Sequence, residues 1–228
     1  TTRAVDLRLT GMTCAACAAR IEKVLNRAEG VRAEVNYATE TAHVEYDPGK
    51  ATPQTLIDAV KRAGYDAAPA PDPFAQPEQE AIAQARRYRR ELANFAFAAL
   101  LTAPFVAQMA FMAGGRHDIE MPYALQAALA ALVQFGAGRR FWRGAYMALR
   151  GGAANMDVLV ALGTGSAFAF SLAVWLLPIP TQHVYFEAGA MIVTLVLLGK
   201  LLEGRARART ATAIRNLLSL RPPTVHRE

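Results

Sequence analysis

Residues 11–17 read Gly11-Met12-Thr13-Cys14-Ala15-Ala16-Cys17, and one periodicity gives way to another across them. Before them Val5, Leu7 and Leu9 alternate with polar residues, the period of a half-buried strand. After them Ala15 to Ala28 places Ile21, Val24 and Leu25 on one helical face and stops near Gly30. The segment is therefore a strand-to-helix turn. It also holds the only two cysteines in 228 residues. Unpaired N–H groups and the positive dipole end of a first helical turn lower thiol pKa values. A thiolate pair suits a soft ion such as Cu(I), which accepts two-coordinate sulfur ligation. A redox pair of the thioredoxin kind would carry a flanking Trp and Gly-Pro, absent here. Half a structural zinc site would need further cysteines, and there are none.

The pattern continues outward. Val31 to Asn36 and Thr41 to Tyr46 read as strands around a polar turn, and Asp47-Pro48-Gly49-Lys50 closes the second. Thr52 is an N-cap with Pro53 at the first helical position, and that helix runs to about Ala63 before Gly64. Tyr65 to Ala68 forms a short last strand. The order is βαββαβ, the ferredoxin-like arrangement of an α+β domain over residues 1–69.

Residues 70–90 form a Pro-rich linker and a basic segment ending in Arg86-Arg87-Tyr88-Arg89-Arg90. Residues 91–204 then hold four apolar segments, read as an all-α transmembrane region of four spans: Leu92 to Met112, Met121 to Gly138, Val158 to Leu177 and Val184 to Leu202. Residues 205–228 continue as a polar extension. The composition is 53% apolar and 19% charged. That balance agrees with a soluble domain joined to membrane helices. The net charge of +6 is not a nucleic-acid signature, because the arginines flank the apolar runs. The first connection carries Arg116 alone and the third carries no Lys or Arg. The pre-membrane segment, the second connection and the tail are arginine-rich, which places both chain ends in the cytoplasm. The chain starts at Thr1 with no signal peptide in view.

After Gly136-Ala137-Gly138, residues 139–150 read Arg-Arg-Phe-Trp-Arg-Gly-Ala-Tyr-Met-Ala-Leu-Arg. Phe141, Trp142, Ala145 and Met147 supply apolar bulk and the arginines supply charge. This is the composition of a helix lying in the membrane interface, the other reading being a helix that continues past the bilayer with a snorkelling end.

Taken together, these motifs resemble the amino-terminal part of copper-transporting P-type ATPases of the heavy-metal subclass. The Cys pair in its βαββαβ unit resembles a heavy-metal-associated domain. Asn155-Met156-Asp157-Val158-Leu159 resembles the start of the family's first core helix. Tyr185-Phe186-Glu187-Ala188 and Leu195 to Glu203 resemble its second. The basic helix resembles the platform that follows a kinked span, with Gly138, Arg139, Arg140, Arg143 and Arg150 as platform residues. The usual kink is a Gly-Gly pair; here it is Ala137-Gly138 with Gly136 just before.

The resemblance implies Cu(I) as cargo, with Ag(I) as a second soft ion. Cys14 and Cys17 are the metal ligands, Met156 and Glu203 the ion entrance, and Glu187 the exit. Glu187 and Glu203 also stand out unaided, since acids within an apolar run are costly and functional by default. Asp157 reads as a helix N-terminal charge, Tyr65 as an aromatic near the metal loop, Met12 as packing beneath it. Gly163 to Ser166 read as a close-packing stretch. The scattered His43, His117, His183 and His226 form no cluster.

No Thr-Gly-Glu, Cys-Pro-Cys or Asp-Lys-Thr-Gly-Thr motif occurs up to Glu228, where the actuator domain of such a pump is expected to begin. ATP and Mg(2+) belong to the full-length protein, and this chain alone is expected not to hydrolyse ATP. Expected partners are membrane lipid, a cytosolic copper chaperone and the remaining pump domains, in a bacterial inner membrane. Two rival readings are a Zn(II) or Cd(II) pump of the same class and a non-enzymatic membrane-tethered copper-binding protein. Thr13 speaks against the former, where an acidic residue is more usual.

Overall fold

The computed structural model describes residues 2–70, 77–115, 121–177 and 183–218. The first unit is built from β1 (Arg3–Thr10), α1 (Ala15–Leu25), β2 (Val31–Asn36), β3 (Thr41–Tyr46), α2 (Pro53–Arg62) and β4 (Asp66–Pro69). The four strands form one antiparallel sheet in the order β2-β3-β1-β4. Leu7 and Leu9 of β1 and Val44 of β3 point into the core, where Ile21, Leu25, Leu56 and Val60 of the two helices meet them. This is the α+β ferredoxin-like arrangement that the alternation in β1 and the helical stripe after it specify.

Local chemistry sets the boundaries. Helix α1 ends at Leu25, three residues before Ala28. The Asn26 side chain turns to β2, accepting from Ala33 N at 2.9 Å and donating to Ala33 O at 2.9 Å. The cross-link fixes α1 against the sheet and stops the helix. Thr52 caps α2 by accepting from Thr55 N, and the Thr55 hydroxyl returns the bond to the Thr52 backbone N–H. Pro53 follows at the first helical position, where its missing N–H costs nothing. Strand β4 starts one residue later than expected, because Tyr65 turns inward into the core.

The second unit is helical: α3 (Pro77–Ala113), α4 (Tyr123–Ala131) running into a π-helical stretch (Leu132–Ala137), α5 (Arg139–Arg150), α6 (Met156–Leu176) and α7 (Phe186–Leu218). It has a core of its own, centred on Phe105, Val133, Phe141, Phe186 and Val193. Phe168 joins this core edge-on, its ring centroid 5.6 Å from that of Phe135 and 5.5 Å from that of Phe186. Edge-to-face contact at that distance suits the opposed charge of ring edge and ring face. Two stretches, Ala85–Ala113 and Met156–Leu176, are long and apolar enough to cross a membrane. The apolar helix Tyr123–Ala137 is shorter, and α7 carries Glu187, Lys200 and Glu203 along its apolar stretch. The helices are longer than the apolar runs. Helix α3 begins in the basic segment, and α7 continues past Leu202 to Leu218.

Polar side chains tie the helices together. Thr102 and Thr194 hydroxyls lie 2.8 Å apart between α3 and α7. Gln134 Nε2 donates to Thr164 Oγ1 at 3.0 Å, and Tyr185 N donates to Ser171 Oγ at 2.6 Å. Inside an apolar bundle such bonds replace the water these groups would otherwise need.

The kink after α4 is a π-turn ended by a glycine. Gly138 N donates five residues back to Val133 O at 2.8 Å, and a Cβ on Gly138 would stand 2.5 Å from the Gln134 carbonyl oxygen. Only glycine fits there. Asn94 Nδ2 caps the Ala137 carbonyl at 3.0 Å. Helix α5 then packs along α6 with Phe141, Ala145 and Ala148 buried and Arg139, Arg143 and Arg150 turned outward. Of the expected close-packing stretch, Gly165 is covered by Trp142, while a Cβ on Gly163 would meet nothing within 4 Å.

Candidate metal centre at the domain–platform junction

Cys14 is the N-cap of α1 in extended backbone, and Cys17 lies one turn on, its N–H donating to Cys14 O at 3.0 Å. The spacing brings the two sulfurs to 3.1 Å. Cys14 is half-buried and Cys17 buried. The Thr13 hydroxyl lies 3.8 Å from Cys17 Sγ, and the Tyr65 hydroxyl donates to the same sulfur. Met12 packs beneath the loop in the domain core.

Burial pushes the Cys14 thiol up, and its bond with Cys17 adds to this, since both favour the protonated form. Burial acts on Cys17 in the same direction. There the hydrogen bonds from Cys14, the Thr13 backbone and Tyr65 outweigh it and leave the thiol lowered. Of the two thiols, Cys17 is the one held toward the thiolate and Cys14 the one held protonated. A metal ion bound between the two sulfurs would have to replace both protons. Tyr65 itself stays protonated, because burial and the Cys17 bond raise its phenol. Among the described residues no group of three or more His, Cys, Asp and Glu side chains is placed to hold a metal ion. The arrangement is a two-sulfur clamp, suited to an ion that accepts low coordination through soft donors.

The clamp faces the helical unit. The Met156 backbone N–H, at the first turn of α6, points at Cys14. The sulfur thus meets the positive amino ends of two helices. Lys200 Nζ donates to the Thr13 carbonyl and to Glu203 Oε2, the latter at 2.8 Å. The Tyr37 hydroxyl donates to Glu203 Oε1 at 2.6 Å. Arg20 donates to the Gly151 carbonyl at the end of α5. Backbones also meet there: a Cβ on Gly64, which has φ +91°, would lie 2.7 Å from Met147 O. A Cβ on Gly151 would lie 2.7 Å from Ala63 O. Between the metal loop and α5 lies a cleft of about 470 Å³ lined by Thr13, Tyr65, Arg140, Arg143, Asn155 and Asp157, among others.

Residues expected to serve separate sites thus share one neighbourhood: Cys14, Cys17, Met156 and Glu203. Gly138 is at the far, amino-terminal end of α5; Arg140, two residues on, lines the cleft, its Nη1 3.6 Å from Glu91 Oε1. Glu187 stands at the opposite end of the apolar stretch of α7, sixteen residues before Glu203. At the helical rise that separation is roughly 24 Å. His183 is exposed, and His43 pairs with Asp6 on the outer face of the sheet at 2.6 Å. Arg116, His117, His226 and Glu228 lie outside the described residues.

Four residues of this neighbourhood escape sequence reading. Arg20 and Tyr37 look like ordinary surface positions of a soluble domain. Lys200 gives a signal, a lone cation in an apolar run, whose partner no pattern names. Asp157 gives the signal of a helix-start charge but is only 2% exposed, with Oδ1 unpaired and Gly144 packed against Oδ2. The Thr13 hydroxyl hydrogen-bonds its carboxylate.

Residues 6–66 match the heavy-metal-associated domain family. Over 226 residues the chain is 42% identical to a copper-exporting P-type ATPase of Staphylococcus haemolyticus, a match covering 94% of this chain and 27% of that protein. A copper-exporting P-type ATPase of Bacillus subtilis is 41% identical over 233 residues, or 98% of this chain and 29% of that protein. The solution structure of the N-terminal domain of a potential copper-translocating P-type ATPase from Bacillus subtilis, in the Cu(I)-loaded state, is 48% identical. It covers 30% of this chain and 88% of that one, with a TM-score of 0.30. The chain spans a little over a quarter of the length of these curated relatives.

Proposed function

Because the chain belongs to the copper-transporting heavy-metal P-type ATPases as an amino-terminal portion, we propose that it captures Cu(I) and passes it to the membrane entrance of an ATP-driven Cu(I) exporter. Cys14 and Cys17 take the ion as a bis-thiolate complex, with Ag(I) as an equivalent soft cargo. Met156 offers a thioether and Glu203 a carboxylate where the ion enters the bundle, and Glu187 is the exit group. The basic helix α5, with Gly138 setting its angle and Arg139, Arg140, Arg143 and Arg150 along it, is the interfacial platform. ATP, Mg(2+) and the phosphorylation chemistry belong to the longer protein, in a bacterial inner membrane, supplied by a cytosolic copper carrier.

The observation that carries this reading is the position of the clamp. Cys14 lies against the Met156 backbone, and the Thr13 carbonyl is joined through Lys200 to Glu203. On this reading an ion passes from ligand to entrance by exchanging donors, without release into water. Thr13 supports a soft monovalent cargo over Zn(II) or Cd(II), since its hydroxyl adds no negative charge beside the sulfurs.

Copper titration of the chain tests the clamp. One Cu(I) should bind tightly, and Cys14→Ser or Cys17→Ser should abolish that binding. Retained affinity in the double variant overturns the assignment. In the longer protein, Met156→Leu and Glu203→Gln should each slow transport while leaving Cu(I) binding at Cys14 and Cys17 intact. Transport at the rate of a Val158→Leu control across limiting copper would remove both residues from the ion path.

A further inference from the structure

Between Met156 and Glu203 the chain has a single Lys or Arg, Lys200. A cation in an apolar helix is costly unless it is paired and has a task. Lys200 is paired at both ends of the proposed transfer route. Its ammonium donates to the Thr13 carbonyl, one residue before the first sulfur ligand, and to Glu203 Oε2. The other oxygen of Glu203 receives the Tyr37 hydroxyl, so both oxygens are engaged. The lysine side chain is 13% exposed and the glutamate 33%. Asp157, unpaired at Oδ1, lies within electrostatic reach of the same ammonium. The ammonium thus stands between the metal loop and the Glu203 carboxylate.

We propose that Lys200 is the resident cation of the ion entrance: it holds the Glu203 carboxylate and the metal loop until a monovalent soft ion displaces it, and this one-for-one exchange selects for monovalent cargo. The proposal rests on the entrance reading above and adds the residue that controls access to it. The argument is one of charge conservation. One ammonium leaves and one Cu(I) or Ag(I) arrives, so the charge beside Glu203 and Asp157 is unchanged. A divalent ion would add a full positive charge in a low-dielectric site, where that excess is poorly screened. The ammonium also lets go of the Thr13 carbonyl on leaving, so exchange at Glu203 loosens the metal loop in the same step. Tyr37, a neutral donor on the other oxygen, can stay.

The test uses the full chain in lipid nanodiscs with Cys14→Ser and Cys17→Ser, which leaves the entrance donors as the soft-metal site. Ag(I) and Zn(II) are the probes, read by equilibrium dialysis. Lys200→Gln removes the competing ammonium, which sits 2.8 Å from the carboxylate. It should bind Ag(I) roughly tenfold more tightly, because the carboxylate then faces the ion without a rival charge. It should also acquire measurable Zn(II) binding. Lys200→Arg keeps the charge and should bind Ag(I) no more tightly than its parent, which separates charge from packing. Independently of metal, amides of residues 13–17 should exchange hydrogen faster in Lys200→Gln than in Lys200→Arg. If Lys200→Gln leaves Ag(I) affinity unchanged or weaker while Met156→Leu still lowers it, the resident-cation role is overturned and the entrance stands. If no version binds Ag(I), whatever residue is at 200, the entrance reading falls and this proposal with it.

Discussion

At Cys17 two effects oppose each other. Burial disfavours the thiolate, while hydrogen bonds from Cys14, the Thr13 backbone and Tyr65 favour it and prevail. Tyr65→Phe isolates one of them, keeping the ring that packs over Gly11 and removing the donor. The Cys17 titration should move upward, and Cu(I) affinity near neutral pH should fall roughly tenfold, the scale of one hydrogen bond to a charged acceptor. Thiolate absorbance against pH and competition with a Cu(I) chelator measure the two effects. A titration that does not move would mean that the hydroxyl serves packing alone. The clamp was legible in the sequence because its chemistry is local: two sulfurs, their spacing and a helix start. Arg20, Tyr37 and Lys200 were not. Their partners lie 131, 166 and 187 residues away along the chain, and no periodicity encodes a single polar contact of that range.

Elements were legible where one periodicity ran unbroken, and their ends where a cap residue declared itself. Strands β2 and β3 fall where alternation places them, and Thr52-Pro53 starts α2 as written. The end of α1 was hidden, because Asn26 stops the helix through a tertiary bond to β2. Removing the Thr52 cap by Thr52→Ala should raise the opening of α2 by about 1 kcal/mol, roughly fivefold faster amide exchange in its first turns. Unchanged exchange would show the sheet contacts alone hold that end. The glycine-rich kink was legible as a break, but its π form was not, since the pattern does not say which carbonyl the Gly138 N–H will choose. Gly138→Ala would press a methyl group against the Gln134 carbonyl. A close contact of that kind costs about 1–3 kcal/mol. Thermal unfolding in detergent should report the loss, and exchange should rise through residues 132–141. A variant as stable as its parent would show that the turn can rewind to an ordinary α-helix.

For the molecule as a whole, the order of a sheet domain before a helical bundle is readable from periodicity and composition together, because alternation marks the strands and the apolar excess begins after the linker. How the domain sits on the bundle is not readable, since the contact is made of backbone carbonyls and single side chains. Ala63 and Gly64 abut the end of α5, Arg20 reaches Gly151, and Lys200 reaches Thr13. These contacts make topology and docking one question, because the domain can meet α5 only if both lie on the same side of the bilayer. The positive-inside rule, applied to the arginine asymmetry, predicts Arg143 on the cytoplasmic side and His183 on the other. Single cysteines at 143 and 183, in a Cys14→Ser/Cys17→Ser background, should therefore label from opposite faces of sealed vesicles. Position 143 lines the cleft beneath the domain, so the docked domain should also slow its labelling. Arg20→Glu should reverse that slowing, since a carboxylate facing the Gly151 carbonyl repels where the guanidinium donated. Position 183 should be indifferent to Arg20→Glu. Labelling of 143 and 183 from one face would break the four-span arrangement. Opposite faces with no response at 143 to Arg20→Glu would keep the spans and show that the domain does not rest on α5 in the membrane.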